Sequence, residues 1–147
     1  MNSGMTLIVK TVTRLTVWII LLYGCYIILH GHLTPGGGFA GGVVLALALL
    51  NVMIAYGRSF TQKWLNIPLL EHLESAGALL FLLIGLFGLF WGGAFFYNFL
   101  SKGALFHLMS SGTILVLNVI IGFKVAVSLF LVVWVLAGIN VSKGESA

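Results

Sequence analysis

The sequence predicts an all-α integral membrane protein, a bundle of about four transmembrane helices, and three observations predict it. Apolar residues make up 61% of the 147 residues and charged residues only 7%, against about 25% charged in a typical soluble domain. Mean hydropathy is +1.17. Four runs are long enough to cross a bilayer, which takes roughly 20 apolar residues. Beside four such runs the length leaves no room for a separate soluble domain, so residues 1–147 read as one transmembrane domain.

The first run extends from about Leu7 or Arg14 to Leu29. It continues without an A-x-A-like cleavage site, so it reads as a span and not as a signal peptide. Cys25, the single cysteine, lies inside it. No intrachain disulfide is possible, and a lone thiol in an apolar run behaves as a buried or lipid-facing small hydrophobe. The second run covers about 38–56 and is the least bulky, with Gly41, Gly42, Ala46 and Ala48. The third covers about 75–96 and the fourth about 113–138, long enough to tilt. Between the last two, Lys102, His107, Ser110 and Ser111 interrupt apolar Leu100, Leu105, Phe106, Leu108 and Met109. That mixture predicts a loop with a short interfacial helix.

Basic residues predict the orientation. Lys10, Arg14, Arg58, Lys63 and Lys143 fall on one side of the four spans and only Lys102 on the other, so both termini are expected to be cytoplasmic by the positive-inside rule. Lys10 and Arg14 are four apart, on one helical face, and can extend to the inner headgroups. The formal net charge of +4 is scattered among apolar segments; it reports topology and does not indicate a nucleic-acid partner. Asn140-Val141-Ser142 matches a glycosylation sequon but falls on the expected inner side. Trp18, Trp64, Trp91 and Trp134 are explained as packing or interface anchors.

The hinge His30-Gly31-His32-Leu33-Thr34-Pro35-Gly36-Gly37-Gly38-Phe39-Ala40-Gly41-Gly42 joins the first two runs. Irregular backbone cannot face lipid at membrane depth, because nothing there satisfies its N–H and C=O groups. The hinge must therefore lie at the interface or under protein. Residues 36–41 fit the string G-x-G-x-x-G, but a dinucleotide turn follows a strand within a soluble βαβ unit, and here a membrane helix precedes it. The structural alternative is a helix start, with Thr34 as N-cap and Pro35 at the first helical position. Gly37/Gly41 and Gly38/Gly42 then have the small-xxx-small spacing that lets helix backbones approach, and Gly88/Gly92 repeat it. The contacts they mark lie within the chain or with other subunits.

Few polar groups remain inside the spans. Lys124, near the middle of the fourth run, costs about 2.5–3.5 kcal/mol at such depth on insertion scales. It should face the bundle, a partner subunit or a hydrated path. Its readings are a structural pair, a neutral lysine in a small cavity, or a charge element in a proton or sodium route. Asn118 precedes it on the same helix and Ser128 follows one turn later. Glu71, His72 and Glu74 are expected where the third helix begins on the inner side, where the helix dipole favours carboxylates; the functional reading is an inner mouth for protons or sodium, or a contact with a soluble arm. His30 and His32 flank Gly31 on the outer side, as solvated groups or a proton relay. Two histidines alone do not make a metal site. No nucleophile–base pair, zinc motif, P-loop or cysteine cluster is present, so an enzyme, a metal or another cofactor is not expected of this chain alone.

Gly31-His32 followed by Pro35-Gly36-Gly37-Gly38-Phe39-Ala40-Gly41-Gly42 resembles the G-H-x-x-P-G-G-G-F-x-G-G signature of the MnhB family, the B subunits of Mrp-type multisubunit sodium/proton antiporters. Close relatives are built into membrane-bound hydrogenases and related respiratory complexes. The strict likeness covers about residues 24–45 and elsewhere rests on size and helix layout. It implies a small component that sits next to other antiporter-module membrane subunits, with a redox arm of hydrogenase type as a further partner. Asn118 stands roughly where the stand-alone antiporters often carry Asp in this family, and Gly122-Phe123-Lys124-Val125 looks more like the hydrogenase-associated versions. The expected role is support of assembly and ion translocation in such a complex, with Lys124, Glu71, Glu74, His72, His32 and Asn118 as ion-path candidates. A stand-alone antiporter is the alternative. An independent channel or scaffold is a different class, and isolated polar residues do not form the stripe a channel needs.

Overall fold

A computed structural model of the chain describes residues 5–33, 35–100, 103 and 110–144, with side chains described through residue 139. Five helices occur among them: α1 Leu7–Leu29, α2 Gly37–Tyr56, α3 Arg58–Trp64, α4 Ile67–Gly92 and α5 Thr113–Gly144. All but α3 are long and apolar enough to cross a membrane. The protein is multi-pass and all-helical over the described residues.

The helices line up as α1, α2, α5, α4. α1 and α2 are antiparallel: Met5 N–H donates to Ala55 C=O at 3.1 Å, and Tyr56 Oη donates to Lys10 C=O at 3.2 Å. Lys10 and the α3 residues Arg58 and Lys63 thereby share one end of the bundle. α2 and α5 run parallel, with Gly38 beside Asn118 and Gly42 beside Gly122. α4 returns antiparallel on α5, placing Gly77 beside Lys124. The apolar core sits at the basic end, where Met53 of α2 meets Phe130 and Trp134 of α5.

Close approach explains the small residues of α2. A Cβ on Gly41 would collide with Ile28 and stand 2.9 Å from Gly24 C=O, both on α1. On Gly42 it would stand 2.5 Å from Gly122 C=O, and on Gly38 it would collide with Asn118 C=O, both on α5. The small-xxx-small register therefore serves two neighbours: α2 is wedged between α1 and α5 at backbone contact. The nearest atoms to a Cβ on Gly88 or Gly92 belong to no other described helix. These two glycines receive the return segment at Phe96 and Tyr97.

Several boundaries differ from the expected ones. α2 begins at Gly37, with Gly36 as its N-cap, and Pro35 lies in the preceding turn and not at the first helical position. The reason is backbone handedness: Gly36 and Gly37 take φ values of +137° and +65°, a region glycine enters without steric cost. Thr34 lies outside the described residues. Arg58 and Lys63, between the second and third runs, belong to a short helix, α3. The third span begins at Ile67, not near 75, and ends at Gly92, where Gly93 takes a left-handed C-cap. Its start is set by local chemistry: Asn66 Oδ1 accepts from Leu69 N–H at 3.4 Å, and Pro68 occupies the first turn, where its missing N–H is not needed. Hydropathy hides this start because Glu71, His72 and Glu74 interrupt it. α5 runs on past 138 to Gly144. The interfacial helix expected within 96–111 falls largely outside the described residues, which omit 101, 102 and 104–109. What is described shows Asn98 closing the start of α5. Its Oδ1 accepts from Thr113 N–H at 2.9 Å and Thr113 Oγ1 at 2.8 Å, and its Nδ2 donates to Ser111 C=O at 3.0 Å.

Candidate ion-handling site

The earlier start of α4 changes where its carboxylates lie. Glu71 and Glu74 are in the second and third turns, not at the helix start. Glu74 is seven residues beyond Ile67, about 10 Å along the axis at 1.5 Å per residue. Its partner comes from α5. Lys124 Nζ approaches Glu74 Oε1 at 3.4 Å, and Ser128 Oγ donates to the same oxygen at 2.8 Å. Lys124 and Ser128 are four apart, so they lie on one helical face, and the carboxylate bridges both. The isolated lysine of the sequence is thus half of an ion pair inside two apolar spans.

A cation and an anion paired at this depth cost less than either alone. The carboxylate is the atom set that can change state. A carboxylate so placed can in principle take up a proton or, in exchange for the ammonium, a monovalent cation. Either event leaves Lys124 without its counter-charge, and the Ser128 hydroxyl can follow by rotating. Among the described residues no group of three or more His, Cys, Asp and Glu is positioned to hold a metal ion.

Glu71 lies one turn nearer the basic end, on the wall of a cleft of about 550 Å³ with Arg58, Ile67, Trp134 and Gly138. Arg58 does not pair with Glu71 there. Its guanidinium lies over the Trp134 ring, 4.4 Å from the centroid, and against Gly138, where a Cβ would collide with it. His72 is exposed on α4 and is not brought to Lys124. Asn118 and His32 lie at the opposite end: a Cβ on Gly31 would stand 3.0 Å from Asn118 Nδ2, so the amide packs beneath the hinge. His32 is partly buried on that turn, and Phe39 points outward from the first turn of α2. Apart from the exposed His72, the candidates thus divide into a group towards the basic end, Glu71, Glu74 and Lys124, and a group at the opposite end, Asn118 and His32. Two residues lie outside the set expected from the sequence: Ser128 at the ion pair and, away from it, Asn98 at the start of α5. Ser128 was visible from its spacing to Lys124. Asn98 had no local signal, because its partner Thr113 is 15 residues along the chain.

The family profile described as a domain related to the MnhB subunit of Na+/H+ antiporter matches residues 8–131, which takes in the hinge, nearly all of the first three spans, the fourth as far as residue 131 and both members of the ion pair. An uncharacterised protein of Methanocaldococcus jannaschii is 39% identical over 112 residues, covering 72% of this chain and 42% of that protein. A putative antiporter subunit mnhB2 of Staphylococcus saprophyticus is 38% identical over 92 residues, covering 62% of this chain and 64% of its own length. The B subunit of the Na+/H+ antiporter of Bacillus subtilis is 35% identical over 97 residues, with 65% and 67% covered. The chain therefore spans between about two fifths and two thirds of the curated relatives it matches. With a profile match over most of its length and the glycine hinge folded as a close-packed helix start, the chain belongs to the MnhB family.

Proposed function

We propose that the chain is a membrane subunit of a multisubunit Na+/H+ antiporter module, and that Glu74 and Lys124 form a charge element beside the ion route. The observation that carries this reading is the Glu74–Lys124–Ser128 cluster within the apolar spans. A bundle that needed only packing would not keep two charges where each is expensive. Glu71 and the cleft beside it form the inner approach, with both termini cytoplasmic as the basic end of the bundle supports. Asn118 and His32 sit at the outer end.

The test uses the chain in its native membrane. A tagged chain, purified in mild detergent, should co-migrate with large antiporter-type subunits; migration alone would defeat the proposal. Lys124→Met in everted vesicles should then lower Na+-driven proton movement at least tenfold with the complex intact. Unchanged transport would remove the charge role. A finer reading places the module in a redox-linked complex of hydrogenase type. It is favoured by Lys124 within Gly122-Phe123-Lys124-Val125 and by Asn118 in place of a carboxylate. Co-purification of hydrogenase-type subunits supports that reading, and their absence from an active complex defeats it.

A further inference from the structure

We infer that the α4–α5 face carrying Glu74, Lys124 and Ser128 is a seam with another membrane-embedded subunit, whose transmembrane helix presents a hydrogen-bonding side chain to the ion pair. This rests on the reading of the chain as part of a multisubunit assembly and adds the face, the occupant and its chemistry.

The first ground is exposure at depth. The side chains of Lys124 and Glu74 keep 37% and 35% of their surface open, although Glu74 lies about 10 Å along α4 from its first residue. At such a level lipid tails offer no donor or acceptor, and polar groups that face them go unsatisfied. The second ground is the donor and acceptor count. Both described bonds end on Oε1 of Glu74, so among the described residues Oε2 accepts none. The ammonium has three donors and spends one. The occupant must bring a donor for Oε2, an acceptor for Nζ, or one amide or hydroxyl that serves both.

The third ground separates a protein occupant from water. The cleft of about 550 Å³ at the basic end is lined by Arg58, Glu71, Trp134 and their neighbours and does not reach Glu74, Lys124 or Ser128. Packing agrees. In the most apolar stretch of α4 only 11% of the residues are buried, against 39% in that of α2, and the substantial helix contacts of α4 are with α5. The flank of α4 beyond the ion pair, with Ala78 exposed one turn from Glu74, is where a further helix fits.

A charge swap separates an intrachain pair from one that a neighbour reads. Glu74→Lys combined with Lys124→Glu restores attraction between α4 and α5 but reverses what the seam presents. In cells making the whole complex, the tagged double variant should accumulate in the membrane as the unsubstituted chain does, yet recover the other subunits at least tenfold less. Full recovery overturns the seam and leaves the multisubunit reading standing. If the unsubstituted chain itself recovers no other subunit, it is the multisubunit reading that fails, and the seam with it. Should the double variant not accumulate, Ala78→Cys in a Cys25→Ser background decides the matter. A spin label there should lose most of its molecular-oxygen accessibility on going from the isolated chain to the assembled complex. Equal accessibility in both overturns the seam.

Discussion

Gly42→Ala tests whether α2 and α5 touch through their backbones. The added Cβ would lie 2.5 Å from Gly122 C=O and 2.8 Å from Val125 Cβ. Ordinary contact begins near 3.4 Å, so the helices must separate by about 0.9 Å, the difference of those distances. A carbonyl in a helix cannot rotate away, so relief comes only by moving the helix. Overpacking of this kind costs about 1–3 kcal/mol, and contact with backbone places it near the top of that range. Against it stands about 1 kcal/mol of helix propensity that alanine gains over glycine. The net expectation is a loss of about 2 kcal/mol, from the same terms. Gly77→Ala is the internal control. Its Cβ would meet Lys124 Cβ at 3.7 Å, an ordinary contact, so the propensity gain of up to about 1 kcal/mol is unopposed. The two variants should differ by about 3 kcal/mol on this accounting. Unfolding by SDS in mixed micelles, followed by tryptophan fluorescence, measures both. Equal shifts, or a stabilised Gly42→Ala, would refute backbone contact between α2 and α5.

Asn98→Ala should destabilise the chain by about 1–2 kcal/mol in the same assay, because Thr113 loses its acceptor at the start of α5; Asn98→Asp, which keeps the acceptor, should recover most of it. Lys124→Met and Glu74→Gln should each cost about 2 kcal/mol, below the range for fully buried pairs because a third of each side chain is open. The double variant should cost less than their sum by at least about 1 kcal/mol; strict additivity would show that the pair does not form. Arg58→Ala should cost about 1 kcal/mol through loss of its position over Trp134, and should change the emission of Trp134 in a chain whose other three tryptophans are phenylalanine. An unchanged spectrum would place Arg58 elsewhere.

Much of the fold was legible because the signals that specify spans are local. Hydropathy and length located four membrane helices, and the basic residues marked the end at which Lys10, Arg58 and Lys63 now gather. The glycines of the hinge announced close packing, because the small-xxx-small spacing lets helix backbones approach. The reading failed where two local signals competed. Glu71, His72 and Glu74 lowered the hydropathy of the first turns of α4, although Asn66 and Pro68 start a helix upstream of them. At the hinge, Pro35 looked suited to open α2, but the positive φ of Gly36 and Gly37 delays the start by two residues.

What the sequence determined by itself is the class of the molecule, its span count and which segments must approach closely, because each depends on sums over neighbouring residues. Tertiary structure alone decided which approach serves which neighbour: Gly41 meets α1, whereas Gly38 and Gly42 meet α5. It also decided that Lys124 is not a solitary charge. Glu74 is fifty residues away along the chain, and no local pattern joins them. Only the antiparallel return of α4 on α5 brings the carboxylate to the ammonium, and with them the site.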